Sequence, residues 1–289
     1  MELPLVVGVD GSDSSLRAVD WATDEAARHG VPLRLVYASR WERYEAGRPS
    51  LTTARPSGHV MAEHIVASGA ERARLRNPSL KVSYDVLPED AVSGLLHAGR
   101  ESFALVTGSR GRGEVAGMLL GSVGLTVAAR AACPVVVVRG GERNVAGGYG
   151  RIVVGVGDLT DSSAAVRFAF GEAEARGCAL GAVRAWRLPA HGPVDRAPAA
   201  EDAVGAHEER ALVRLVESTR DAARDHPRVE VQARADEGPA HTVLLAETAE
   251  ADLIVVGAAR RHGRFGLQLG RAAHVLLHYA DCPVAVVPQ

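Results

Sequence analysis

Cysteine is scarce in this chain. Its three cysteines, Cys133, Cys178 and Cys282, are odd in number, far apart and without Cys-x-x-Cys spacing. That argues against a disulfide framework or a thiolate zinc site and suits reduced thiols. Cys133 and Cys282 each precede a proline at an expected strand start, where a small buried thiol fits. Excess charge is missing as well: a formal net charge of -2 supplies no field for gripping nucleic acid or an anionic membrane. No apolar stretch approaches the ~18 residues of a membrane-spanning helix. The start, Glu2 followed by a strand-like run, lacks the basic segment and cleavage site of a secretory signal. A soluble, cytoplasmic chain is expected, and 47% hydrophobic with 24% charged residues is ordinary for one.

What the chain does have is self-similarity. Val6-Val-Gly-Val-Asp10, Ser15 to Trp21 and Glu25 to Gly30 align without a gap, 147 residues on, with Val153-Val-Gly-Val-Gly157, Ser162 to Phe168 and Glu172 to Gly177. Cys133-Pro-Val-Val-Val-Val138 matches Cys282-Pro-Val-Ala-Val-Val287 at an offset of 149. Two copies of this size indicate a tandem duplication of globular domains, because solenoid repeats are shorter and more numerous. The glycine-rich stretch from Gly140 to Gly150 reads as a linker. The expected domains are 1–141 and 151–289, joined by 142–150.

Each repeat alternates strand and helix. The first reads as strands 3–9, 33–39, 80–86, 103–108 and 134–138 with helices 13–29, 58–76, 90–102 and 121–131. The second reads as strands 151–156, 179–185, 229–235, 252–257 and 283–287 with helices 161–176, 201–226, 239–250 and 270–280. Several strands are near-continuous Val, Leu and Ile runs, the pattern of parallel strands buried on both faces, so the class is α/β with helices on both sides of a parallel sheet. Loops 40–57 and 187–200 each follow the second strand of their repeat, and loops of that length serve as lids or docking surfaces or are plain disorder.

Behind the fourth strand of repeat one stands a glycine ladder: Gly108-Ser-Arg-Gly111, nine residues, then Gly121-Ser122. Glycines let backbone N–H groups approach an anion, and a helix start adds the positive end of its dipole, so the ladder reads as a phosphate cradle. Asp10 ends the first strand at the carboxyl edge of the sheet, where it could accept ribose hydroxyls or serve the turn Asp-Gly-Ser-Asp-Ser-Ser as a cap. Strands one and four flank the expected switch point, so Asp10 and the ladder would meet one ligand there. Gly8 joins the candidate binding residues. Arg110 and Arg112 are candidates to steer phosphate, or solvated loop cations.

Repeat two carries an altered copy. Gly157 replaces the carboxylate of Asp10, with Asp158 one position on, Arg260 replaces the second ladder glycine, and Arg271 replaces the serine. An arginine at 260 would occupy phosphate space, so weak or absent nucleotide binding is expected; the added arginines also leave open a different anion. Other motifs fail. Gly113 is followed by Glu114 where a Walker loop needs lysine, and Gly111-Arg-Gly113 follows the fourth strand with no acidic residue about 20 positions on, against a dinucleotide fingerprint. His274 and His278 have the i, i+4 spacing of a metal face but no third ligand, so no metal site is assigned.

Together, Val6-Val-Gly-Val-Asp10-Gly-Ser, Gly108-x2-Gly111-x9-Gly121-Ser122-Val123 and Cys133-Pro-Val-Val-Val-Val138 resemble the universal stress protein family, and the resemblance occurs twice, spanning almost the whole chain. It implies two tandem flavodoxin-like or Rossmann-like domains, each a five-stranded parallel sheet of order 3-2-1-4-5. It further implies ATP as ligand of the subgroup that keeps the ladder, with Asp10 on ribose, the backbone of Ala38 on adenine, and Gly108, Gly111, Gly121, Ser122 and Val123 on the phosphates. The family's habit of pairing through final strands implies a pseudo-dimer of the halves through 134–138 and 283–287, and leaves open a homodimer.

The resulting expectation is an ATP-binding stress or dormancy regulator with an unidentified protein partner, and not an enzyme. Efficient hydrolysis needs a positioned base and a metal-holding set, for which only Ser122 and Asp10 are candidates, so slow or incidental hydrolysis stays open, as does the company of Mg2+. A nucleotide hydrolase or AMP-forming enzyme is one rival, since Asp10 to Ser15 bears a faint likeness to the phosphate loop of ATP pyrophosphatases, without its paired glycines. A nucleotide-free interaction scaffold is the other.

Overall fold

Short apolar runs that alternate with capped helices build each half. A computed structural model describes residues 2–39, 57–111, 120–157, 163–188, 200–258 and 269–289. The chain divides into two compact units, Met1–Arg139 and Gly140–Gln289.

The first unit runs β1 (Leu5–Gly8), α1 (Asp13–His29), β2 (Leu33–Ala38), α2 (Ser57–Arg76), β3 (Val82–Leu87), α3 (Ala91–Gly99), β4 (Ala104–Gly108), α4 (Ser122–Arg130) and β5 (Val135–Val138). Its strands lie in the order β3-β2-β1-β4-β5, all parallel. Leu5 faces Leu33 on one side and Ala104 on the other, and Val6, Val7, Leu35, Leu105 and Val106 are wholly buried. That two-sided burial is why these strands read as unbroken apolar runs.

Helix α1 shows how local sequence sets an element. The Ser12 hydroxyl oxygen accepts the Ser15 N–H, and Gly30 ends the helix in the left-handed region at φ 66°, its N–H bonding back to Ala26 and Ala27. Glycine takes that conformation without a Cβ penalty. The helix covers Asp13–His29, as its caps predict. It is tied to α2 by two bidentate pairs, Arg72 with Asp20 and Arg76 with Asp24, at 2.6–2.7 Å.

The second unit opens with α5 (Glu142–Val145) and continues β6 (Arg151–Gly155), α6 (Ser163–Arg176), β7 (Ala179–Trp186), α7 (Ala200–Asp225), β8 (Val231–Glu237), α8 (Ala240–Glu247), a 3-10 turn (Thr248–Glu250), β9 (Leu253–Ala258), α9 (Arg271–Tyr279) and β10 (Val284–Pro288). Its parallel strands repeat the order, β8-β7-β6-β9-β10. Both units thus have the α/β class and the 3-2-1-4-5 order expected.

The stretch 142–150, expected as a linker, is instead partly built into the second unit. Asn144 is buried, and its Nδ2 donates to the carbonyls of Thr248, Ala249 and Ala251 at 2.9–3.2 Å. The buried carboxylate of Asp252 accepts the N–H groups of Tyr149 and Arg151 at 2.9 and 3.1 Å. These partners lie about a hundred positions away in sequence, which is why the glycine-rich composition alone suggested a free connector. Among the described residues, no helix is long and apolar enough to cross a membrane.

Candidate functional site

The carboxyl ends of β1 and β4 stand side by side in the first unit, and the residues just beyond them converge. Asp10 follows β1 in a turn it closes itself: its Oδ1 accepts the Ser12 N–H at 3.0 Å and the Ser12 hydroxyl at 2.6 Å. Ser15, buried in the first turn of α1, donates its hydroxyl to the Ser12 carbonyl and accepts the Asp10 N–H. Of the two roles considered for Asp10, the structure displays the turn role. One carboxylate oxygen holds the turn, and the other, Oδ2, faces Gly111.

That second contact explains a ladder glycine. A Cβ at Gly111 would lie 2.7 Å from Asp10 Oδ2, closer than real Cβ atoms come to anything, so the carboxylate and this loop fit only because position 111 has no side chain. Gly108 has a different neighbour. A Cβ there would come within 2.6 Å of the Ser14 carbonyl and hydroxyl oxygens, so the glycine lets the first turn of α1 lie against the end of β4.

Sequence reasoning missed Ser14. Its hydroxyl accepts the Arg110 N–H at 3.1 Å and meets the Ser109 hydroxyl at 3.4 Å, tying the β4 loop to α1. The Gly121 N–H bonds the Ser109 carbonyl at 2.8 Å, which folds the far end of the ladder back onto its start. Two of the ladder's amides, those of Arg110 and Gly121, are therefore engaged within the protein and serve its shape. The Arg110 side chain is exposed.

Gly121 is the N-cap of α4 and, as a glycine, supplies no side-chain cap. The first-turn amides of Ser122 and Val123 open α4 at its positive end, a ready anion position. Gly108, Gly111, Gly121, Ser122, Val123 and Asp10 are thus gathered at one sheet edge. Arg112 lies outside the described residues.

Ala38 ends β2 beside Leu87 of β3. A Cβ on Gly94 of α3 would stand 2.7 Å from the Ala38 Cβ, so α3 approaches this strand end closely. Gly8 lies against α3, where a Cβ would meet Leu95 Cδ2 at 2.9 Å. Its counterpart Gly155 would meet Leu244 at 2.7 Å in the same way, so this glycine does not distinguish the two halves.

The second unit builds the equivalent edge differently. Where Asp10 stands in the first, the second has Gly157, and none of the described residues lies within 4 Å of a Cβ placed on it. The buried Arg184 of β7 donates from Nη1 to the Gly157 carbonyl. A guanidinium thus binds the backbone of this turn, which carries no carboxylate at 157. Arg271, in place of Ser122, opens α9 and is exposed. Asp158 and Arg260 lie outside the described residues. The rings of His274 and His278 lie tilted at 47° with centroids 4.7 Å apart, and among the described residues no third metal-binding side chain joins them.

The thiols fit the structural role expected of them. Cys133 is buried under Ser102, whose hydroxyl reaches its Sγ at 3.5 Å, and burial pushes this thiol above its ordinary pKa, away from the reactive thiolate.

The model of the universal stress protein family matches residues 3–139 and again 148–288. Universal stress protein Rv1996 of Mycobacterium tuberculosis is 31% identical over 312 residues, covering 99% of this chain and 96% of its own. A universal stress protein of Mycolicibacterium smegmatis is 29% identical over 295 residues, covering 99% and 97%. Among solved structures, a universal stress protein from Archaeoglobus fulgidus covers 99% of this chain and 98% of its own with a TM-score of 0.67 and 17% identity, a likeness of fold.

Proposed function

The chain belongs to the universal stress protein family, each half matching it separately, and from that premise we propose that its first half binds ATP and that occupancy regulates a stress or dormancy response. The observation that supports this most is the convergence of Asp10 Oδ2, Gly111 and the Gly121-capped start of α4 on one edge of one sheet. In this reading the Asp10 carboxylate accepts the ribose hydroxyls. The Ser122 and Val123 amides hold the phosphates at the positive end of α4, and the backbone at Ala38 meets the adenine. Ser12 and Ser14 position the two loops and need not touch the ligand.

The chain acts as a binder and not as an enzyme. Hydrolysis calls for a base within reach of an attacking water and a set of oxygen ligands for a metal. The Asp10 carboxylate is already oriented by Ser12 and faces a glycine. The second half binds ATP weakly or not at all, because a bare glycine, Gly157, replaces the group that would hold ribose. Occupancy of the first half then adjusts the conformation of the chain or its choice of protein partner.

Mass spectrometry of nucleotides released from the purified, unsupplemented chain tests the reading. ATP is the expected species. AMP with pyrophosphate would show an AMP-forming enzyme, and a chain that neither releases nor takes up nucleotide would show a scaffold.

A further inference from the structure

Of the nine large apolar side chains that stand exposed among the described residues, three lie together on one helix of the second half. Leu212, Val213 and Val216 of α7 are 39%, 51% and 48% exposed. Single exposed apolar side chains are ordinary, but a cluster on one face marks a contact surface. The fold does not call for it. Helix α7 packs through Ala211, Leu215, Thr219 and Ala222, which are buried, and α2 of the first half packs through Ala62, Val66, Ala70 and Ala73 at an offset of 149. The Asn77-Pro78 and His226-Pro227 pairs that follow the two helices keep the same offset. At that offset Leu212, Val213 and Val216 correspond to Glu63, His64 and Ala67, so the buried face is common to both helices and the aliphatic cluster belongs to the second half alone.

The charges beside the cluster say what covers it. Glu209, Val213, Val216 and Arg220 follow a 4-3-4 spacing, which sets them in one row along the exposed face of α7. The row is symmetric in spacing and opposite in charge at its ends. Its midpoint, between Arg214 and Leu215, is the same for the two valines and for the two charges. A second copy turned end for end about that midpoint therefore sets Val213 against Val216 at the centre and Glu209 against Arg220 at both rims, as a two-fold interface requires. Arg214, the charge nearest the axis, lies roughly 130° around the helix from the row, so like charges do not meet there.

We propose that this face of α7 is a homodimer interface, on which the α7 helices of two copies of the chain pack antiparallel. It uses neither the glycine ladder nor the final strands β5 and β10. One helix face per copy is small beside the ~1,600 Å² of a standard interface, so the association is weak and depends on concentration.

Sedimentation velocity of the full chain from micromolar to millimolar concentration tests this. The wild type should associate as concentration rises. Val213→Lys should weaken that association at least ~tenfold by placing an unpaired charge in the contact, and should leave the melting temperature of the dilute chain unchanged because the position is exposed. Glu209→Arg and Arg220→Glu should each weaken it as well, since like charges then meet at both rims. An equimolar mixture of these two variants should associate again, because each arginine of one then meets a glutamate of the other. A wild-type chain that stays monomeric throughout, as a face kept for a different protein would leave it, overturns the proposal. So does an association indifferent to Val213→Lys, or a mixture of the two charge variants that stays apart.

Discussion

At the turn after its first strand, one half of the molecule presents a carboxylate and the other a bare glycine, whose carbonyl is held by the buried Arg184. Asp10 faces Gly111, and a side chain at 111 would collide with its Oδ2 at 2.7 Å. In the second half the carboxylate has become Gly157, and the glycine has become Arg260. The two changes are one change seen from two strands: the need for a glycine disappears with the group that lay against it. Strand order and helix caps persist, since Gly30 and Gly177 end equivalent helices at φ 66° and 62°. Duplication therefore kept what packs the sheet and released what faces the crevice.

The largest effect should come from moving the second half's residue into the first. Gly111→Arg forces a long side chain into the space bounded by Asp10, and ATP affinity should fall at least ~100-fold by calorimetry, the loss of more than one charge-assisted hydrogen bond. Near-normal affinity in this variant would break the comparison. Next come the glycines that both halves share. Gly8→Ala and Gly155→Ala each drive a methyl into a leucine, Leu95 or Leu244, and each should cost about 1–3 kcal/mol of unfolding free energy. Their similarity, measured by denaturant unfolding, would confirm packing as the shared element. A Gly8→Ala chain that is stable but loses ATP would give Gly8 a binding role.

The smallest effect concerns how helices are tied. The first half joins α1 to α2 with two Arg–Asp pairs. The second joins α6 to the end of α7 through Glu174, which contacts His226 at 2.7 Å and Arg228 at 3.1 Å. The hydrogen bond from His226, then that from Arg228, holds the Glu174 carboxyl below the ordinary glutamate pKa. A depressed carboxyl pKa contributes stability that is present above the unfolded value and is lost as pH falls through the folded one. Glu174→Gln should therefore lower the melting temperature slightly at neutral pH, by the small amount expected of an exposed pair. The difference should vanish under acid conditions, and one that persisted there would assign it to packing.

Much of this was legible in the sequence because the signals were local or repeated. Ser12 and Gly30 bound α1 at both ends, and near-continuous valines announced strands buried on two faces. The site was legible as a convergence, because parallel topology brings the ends of strands one and four together whatever separates them in sequence. The missed parts all depend on distant partners. Asn144 looks like linker until Thr248, Ala249 and Ala251 are in place around it. Ser14 reads as a cap residue until Arg110, 96 positions on, donates to it. Arg184 sits in an apolar strand run, and nothing local says that its guanidinium turns back to Gly157.

Binding stoichiometry tests the central claim most directly. Calorimetric titration of the full chain with ATP should give one site per chain, lost in Asp10→Ala and unchanged in Arg271→Ser. Two equivalent sites, or a single site indifferent to Asp10 and altered by Arg271, would contradict the division of labour between the halves.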